Sequence, residues 1–231
     1  MHLRILSTTA LAAALAACGQ PPSSGTDVPD VAAAPAPVRC EDLASLAIAN
    51  TTITSAAVVA AGTFQAPAAA FPGPGPDYSR LPAFCRVTGS IHPTADSDIR
   101  FELWLPEGPW NGRFMQTGNG GAAGSIVHAS LFDPLVSGYA VANTDTGHEG
   151  GGGDFAWAVG HPEKLIDYQY RAVHELTVVG KALTTERFGR APEKSFWNGC
   201  STGGRQGLKE AQRYPDDYDA IVAGAPATIA S

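Results

Sequence analysis

Apolar and polar positions change their rhythm partway along this chain. Thr51 to Ala61 is β-branched and apolar and ends at Gly62, which predicts a strand. Phe84 to Ile91 and Ile99 to Leu105 predict two more, joined by a polar turn. In the second, Ile99, Phe101, Leu103 and Leu105 share one face, with Arg100 and Glu102 on the other. Residues 66–82 are a Pro/Gly loop, because Phe71-Pro72-Gly73-Pro74-Gly75-Pro76 excludes regular structure. From Gly112 onward strands alternate with helices. Gly112 to Thr117 is a strand running into the glycine-rich stretch Gly118 to Gly124. A short helix, the strand Tyr139 to Asn143 and a glycine-rich loop from Thr144 to Gly160 follow. Pro162 opens a long helix, a favoured residue at the first helical position. Its Leu165, Tyr168, Ala172, Leu176, Val179 and Leu183 form a core-facing stripe. Ser195 to Asn198 is a strand, Arg205 to Arg213 a helix, Pro215-Asp216-Asp217 a turn, and Ala220 to Ala223 a strand. Antiparallel strands followed by strand–helix alternation predict an α/β fold.

The first residues do not belong to that pattern. Arg4 and the apolar run Ile5 to Ala17 read as a signal peptide over residues 1–17. The ending Leu15-Ala16-Ala17-Cys18 resembles the lipobox of bacterial lipoproteins, which makes Cys18 the expected lipidation site. Residues 18–38, rich in Pro, Ser, Ala and Gly, bury no face and are expected to be a disordered tether. Residues 39–231 are the expected globular part. The expected location is the periplasm or the outer membrane through a lipid anchor, or the outside of the cell. The formal charge of −7, with no block of Lys or Arg, argues against nucleic-acid binding. An oxidising compartment turns the four cysteines into a framework. Cys40 and Cys85 bracket the first ordered segment and are natural disulfide partners. Cys200 is then left as a buried free thiol or as half of a disulfide to a cysteine beyond this chain.

Chemistry centres on Gly199-Cys200-Ser201-Thr202-Gly203, a Gly-x-Ser-x-Gly pentapeptide between a predicted strand and a predicted helix. A sharp strand-to-helix turn lifts a serine hydroxyl clear of a sheet, so Ser201 is the candidate nucleophile. This elbow identifies the pattern as the first strands of an α/β-hydrolase sheet, carried through the strand after the elbow. One oxyanion donor is then the backbone N–H of Thr202. The other comes from the loop after an earlier strand, where Gly120 and Gly121 are the candidates. A serine also needs a histidine base oriented by a carboxylate, following in the order Ser, acid, His. All six histidines precede Ser201. His148, on a loop near the site, is expected to be structural, as are His161 and His174. Asp216, Asp217 and Asp219 are expected to be a solvated turn. No cofactor and no metal site are expected in this chain.

These stretches together resemble the tannase and feruloyl esterase family, which includes mono(hydroxyethyl) terephthalate hydrolases. The resemblance rests on Trp110-Asn111-Gly112-Arg113-Phe114, Gly118-Asn119-Gly120-Gly121, Asn143-Thr144-Asp145-Thr146-Gly147-His148 and Pro162 to Asp167 with Tyr170 to His174. It continues through Gly199 to Gly207, Glu210 to Pro215 and Ala223 to Ala227. It implies a serine esterase acting on small aromatic esters of galloyl, feruloyl or terephthaloyl type through an acyl-enzyme. It implies that Cys200 pairs with a cysteine beside the catalytic histidine. It also implies that this chain is the N-terminal portion only. A lid, usually with a structural calcium site, and the strands carrying Asp and His would follow. The alternative is a catalytically inactive exported fragment or ligand-binding remnant of such a hydrolase.

Overall fold

A computed structural model of the chain describes residues 36–68, 75–150 and 153–227. The expected signal peptide, Cys18, the tether up to residue 35 and most of the Phe71 to Pro76 run lie outside the described residues. Among the described residues, seven strands form one sheet: β1 (Thr51–Val59), β2 (Phe84–Ile91), β3 (Ile99–Pro106), β4 (Arg113–Thr117), β5 (Ala140–Thr144), β6 (Lys194–Cys200) and β7 (Ala220–Gly224). Their spatial order is β1-β2-β3-β5-β4-β6-β7. β1, β2, β3 and β5 pair antiparallel, and β5, β4, β6 and β7 pair parallel. This is the α/β-hydrolase arrangement that the pattern predicts.

Helices α1 (His128–Val136), α2 (Pro162–Ile166), α3 (Ala172–Phe188) and α4 (Thr202–Arg213) accompany the sheet. The strand period of two sends side chains to both faces, and two cores result. Leu103, Leu105 and Phe114 pack with Val173, Leu176 and Leu183 of α3. Phe84, Trp104 and Val141 pack with Leu131 and Leu135 of α1. Each such buried side chain contributes roughly 1.5–3 kcal/mol.

Three features depart from the expected pattern. The long helix is not continuous: a π-turn over Asp167–Arg171 separates α2 from α3. The wider turn rotates the stripe, so Tyr168, Ala172, Leu176, Val179 and Leu183 are buried while Leu165 is exposed. Arg171 braces the turn from within, donating to Asp167 Oδ1 at 2.6 Å and Glu163 Oε2 at 2.7 Å. Glu102 shares the strand face opposite Phe101 and Leu103, yet it is buried, because α1 covers that face too. Burial alone would raise its carboxyl. His128, Arg86 and the Trp104 indole all bond it and hold it down at about 2. At the N-terminal side, Val38 is not free tether. Its N–H donates to Glu186 O at 3.1 Å, and its carbonyl accepts from Arg187 Nη1 at 3.1 Å. Cys40 and Cys85 form the expected disulfide, with Cα atoms 5.5 Å apart.

Candidate active site

The strand order decides where chemistry can sit. β4 leads through α1 to β5 on one side, and β6 lies on its other side, so the connections diverge at the carboxyl ends of β4 and β6. Register sets Thr117 beside Asn198 there. The loop following Thr117 and the elbow following Cys200 therefore meet.

At the elbow Ser201 has φ +59° and ψ −117°. A non-glycine residue held at such an angle costs on the order of 1–3 kcal/mol, and the surrounding bonds must hold it there. Its N–H donates to Gly224 O at 3.0 Å, and its carbonyl accepts from Ala227 N and Arg205 N, both at 3.0 Å. The turn is tight enough that a Cβ on Gly199 would lie 2.5 Å from the Gly203 carbonyl. Below the turn, the buried Trp197 indole donates to Gly203 O at 3.0 Å. Ser201 and Cys200 are exposed. Among the described residues Cys200 has no disulfide partner.

The glycine-rich loop is pressed directly onto this helix start. A Cβ on Gly118 would come within 2.4 Å of Gly203 Cα. Gly203 N–H donates to Asn119 O at 2.8 Å, and the Thr202 hydroxyl donates to Gly121 O. Asn119 and Gln206 hold each other reciprocally: Asn119 N–H donates to Gln206 Oε1 at 3.1 Å and Gln206 Nε2 to Asn119 Oδ1 at 3.0 Å. Asn119 Nδ2 also donates to Thr144 O at 2.8 Å. Gly121 and Ala123 take positive φ, so the loop curls back over the start of α4. Among the described residues the backbone N–H groups of Gly120, Gly121 and Thr202 donate to no acceptor. Two of these N–H groups belong to the loop packed on the start of α4 and the third to the first residue of that helix, where partial positive charge collects.

Histidines and carboxylates are engaged elsewhere. His148 is buried, its Nε2 is 2.8 Å from Ala122 O, and its ring stacks on Trp157 with centroids 3.7 Å apart. Burial lowers its pKa, so it is a neutral brace for the glycine loop. Asp145, on the same segment, accepts from Arg100 N and Gly147 N, and burial raises its carboxyl to about 7. His92, His128 and His161 bond Ser97, Glu102 and Asp96 respectively. In the turn after α4, Asp216 and Asp219 are exposed as expected, while Asp217 is partly buried. Asp217 bonds His174 at 2.7 Å, and Asp219 accepts from Lys194 at 2.6 Å and Ser195 N at 2.8 Å. Among the described residues no side chain hydrogen-bonds the Ser201 hydroxyl.

Ser201 and Thr202 lie on the elbow, and Gly120 and Gly121 on the loop packed against it; the residues that position them carry no chemical motif of their own. Asn119, Gln206 and Arg205 lie inside the quoted motif stretches. Arg205 lies over the Tyr168 ring at 4.7 Å and donates to the Tyr168 and Gln169 carbonyls of the π-turn. The available signal is a pair of amides, Asn119 and Gln206, at positions where the chain has no solvent to offer them.

The family model described as tannase and feruloyl esterase matches residues 85–229. An uncharacterized esterase of Xanthomonas campestris pv. campestris is 44% identical over 195 residues, which are 84% of this chain and 33% of that protein. Feruloyl esterase B of Aspergillus niger is 40% identical over 191 residues, 82% of this chain and 36% of that one. The crystal structure of feruloyl esterase B from Aspergillus oryzae superposes with a TM-score of 0.72 at 38% identity, covering 81% of this chain and 36% of that one. Tannin acyl hydrolase from Aspergillus niger does so with a TM-score of 0.61 at 30% identity, covering 84% and 35%. The chain thus spans about a third of the length of the relatives it matches. With the elbow, the glycine loop and the sheet order already in agreement, this chain belongs to the tannase and feruloyl esterase family.

Proposed function

We propose that the chain carries the nucleophile and oxyanion donors of a serine carboxylic ester hydrolase acting on aromatic esters. Ser201 Oγ attacks the ester carbonyl carbon. The resulting oxyanion accepts from the Thr202 N–H and from the N–H of Gly120 or Gly121. Collapse of the tetrahedral species expels the alcohol and leaves an acyl-enzyme, which water then cleaves to the acid. A histidine oriented by an aspartate takes the Ser201 proton and passes it to the leaving alcohol. Both are expected later in the protein than Ser201, with Cys200 bonded to a cysteine beside that histidine. The observation that carries this reading is an exposed serine at φ +59° at the start of a helix onto which the glycine-rich loop packs. The family, and relatives named for feruloyl esters and tannin, support galloyl, feruloyl or terephthaloyl-type substrates. Export through the N-terminal signal, with a lipid on Cys18, completes the proposal. The Cys40–Cys85 disulfide agrees with an oxidising compartment.

Treating the complete gene product with a fluorophosphonate probe tests the nucleophile, with Ser201→Ala as control. Labelling confined to the native protein is expected; equal labelling of both overturns the assignment. A second reading, an inactive remnant, is favoured by one observation: every described histidine bonds a group other than Ser201. It fails if these 231 residues alone hydrolyse methyl ferulate or methyl gallate at enzyme-like rates.

A further inference from the structure

About two turns down α4 from the elbow, roughly 12 Å along the helix axis, Glu210 is fully buried. Neither of its carboxylate oxygens has a hydrogen-bond donor. A buried carboxylate without partners is costly, and native folds supply one. Its neighbours are His174 on α3 and Asp217 on the turn leading to β7. One ligating atom from each of the three lies within 4.8 Å of the others. His174 Nδ1 and Asp217 Oδ2 are 2.7 Å apart. Tyr214 stacks flat on the imidazole, with centroids 3.7 Å apart and planes 7° apart, which fixes the ring. Asp217 N–H donates to Tyr214 O at 3.0 Å, which fixes the turn. Two other polar groups face the cluster. Lys181 donates to the Asp217 carbonyl oxygen, and the Tyr218 hydroxyl is committed to Thr177 and Gln116.

We propose that His174, Glu210 and Asp217 form a binding site for a divalent cation of the zinc class, separate from the elbow. One imidazole nitrogen and two carboxylates are the donor set such an ion takes, with three protein ligands leaving a fourth position for water. Entry is through the His174 side, whose side chain is 27% exposed. Tetrahedral ligands at about 2.0–2.1 Å from zinc lie about 3.3 Å from one another. His174 and Asp217 therefore need to part by only about half an ångström, giving up their mutual hydrogen bond for bonds to the ion. An ionised Glu210 gains the partner that the surrounding side chains do not supply. Two carboxylates balance the ion's charge, while the Lys181 ammonium works against it and weakens the site. The three ligands come from α3, α4 and the following turn, so a bound ion ties these segments together. Their spacing in sequence forms no metal motif, which is why the reading of the sequence alone expects no metal in this chain.

Without an ion, the cluster can be satisfied by one shared proton. Glu210, kept neutral by burial and by the Asp217 charge, then donates to Asp217. Calorimetric titration of the chelator-treated chain with Zn²⁺ separates the two. It is run in a Cys200→Ser background, so that the exposed thiol does not bind the ion. A single equivalent is expected to bind, with a matching rise in melting temperature. Glu210→Gln is expected to weaken binding at least about 100-fold, since loss of a mere outer partner already costs 10–100-fold. Glutamine keeps the volume and can still donate to Asp217, so the metal-free variant is expected to melt no lower than the native chain. Absence of saturable binding in the native chain, or equal affinity in Glu210→Gln, overturns the site and leaves the shared proton as the cluster's whole role.

Discussion

The reciprocal pair Asn119 and Gln206 makes a quantitative prediction. Gln206→Met keeps the length and approximate volume of the side chain, so little cavity is created. What it removes is an acceptor for the Asn119 N–H and a donor for Asn119 Oδ1, bonds of 3.1 and 3.0 Å in a fully enclosed site. Each buried group left unpaired costs about 1–3 kcal/mol. The variant should therefore lose about 2–6 kcal/mol, a large fraction of a typical domain's 5–15 kcal/mol. Urea denaturation followed by tryptophan fluorescence measures it, because Trp197 lies under the same turn and donates to Gly203 O. A double-mutant cycle with Asn119→Ala should return a coupling of about 0.5–3 kcal/mol. The loop would also drift from the helix start, so fluorophosphonate labelling of the complete protein should slow. A loss below about 1 kcal/mol with no coupling would refute the idea that this pair holds the glycine loop against the elbow.

Three further outcomes are expected. The Glu102 carboxyl, held at about 2 against an ordinary 4.5, gives stability that is fully present above pH 4.5 and is lost as the pH falls toward 2. That difference is worth up to about 3 kcal/mol, so denaturation between pH 7 and pH 3 should show the native chain losing stability that Glu102→Gln has already lost. Asp145 has the opposite sign: its carboxyl is raised to about 7, so its ionisation costs stability progressively from about pH 4 to pH 7. Asp145→Asn retains the Oδ1 acceptor for Arg100 N and Gly147 N and should match or exceed the native chain at pH 8, without that advantage at pH 4. Cys40 and Cys85 are 45 residues apart in sequence, and a loop of that length is worth about 4 kcal/mol by chain entropy. Denaturation with and without reductant should show a loss of that order, and a loss under about 1 kcal/mol would contradict it.

The sheet is legible in the sequence because local rules and burial agree there. Ile99 to Leu103 alternates apolar and polar residues, and β3 lies where alternation puts it. The elbow is legible because only small residues survive at Gly199 and Gly203. Polar residues inside the fold are harder to read. Glu102 occupies the polar phase of its strand, and alternation cannot say that a second helix layer covers that phase. The π-turn at Asp167–Arg171 is invisible to a helical count, since it depends on Arg171 reaching Asp167 and Glu163. His174, Glu210 and Asp217 meet only because α3, α4 and the turn after α4 converge, and spacing along the chain carries no trace of that.

The clasp on Ser201 has a temporal consequence. The carbonyl of Gly224 and the N–H of Ala227, two of the groups that grip its peptide bonds, are made after it during synthesis. A growing chain that has just delivered Ser201 lacks β7 and the residues after it, which hold the residue at positive φ. The residue is free until then to take an ordinary, unstrained geometry. The Ser201 hydroxyl is thus aimed only when β7 pairs beside β6, and a nascent polypeptide that has not yet reached β7 carries a serine of ordinary geometry.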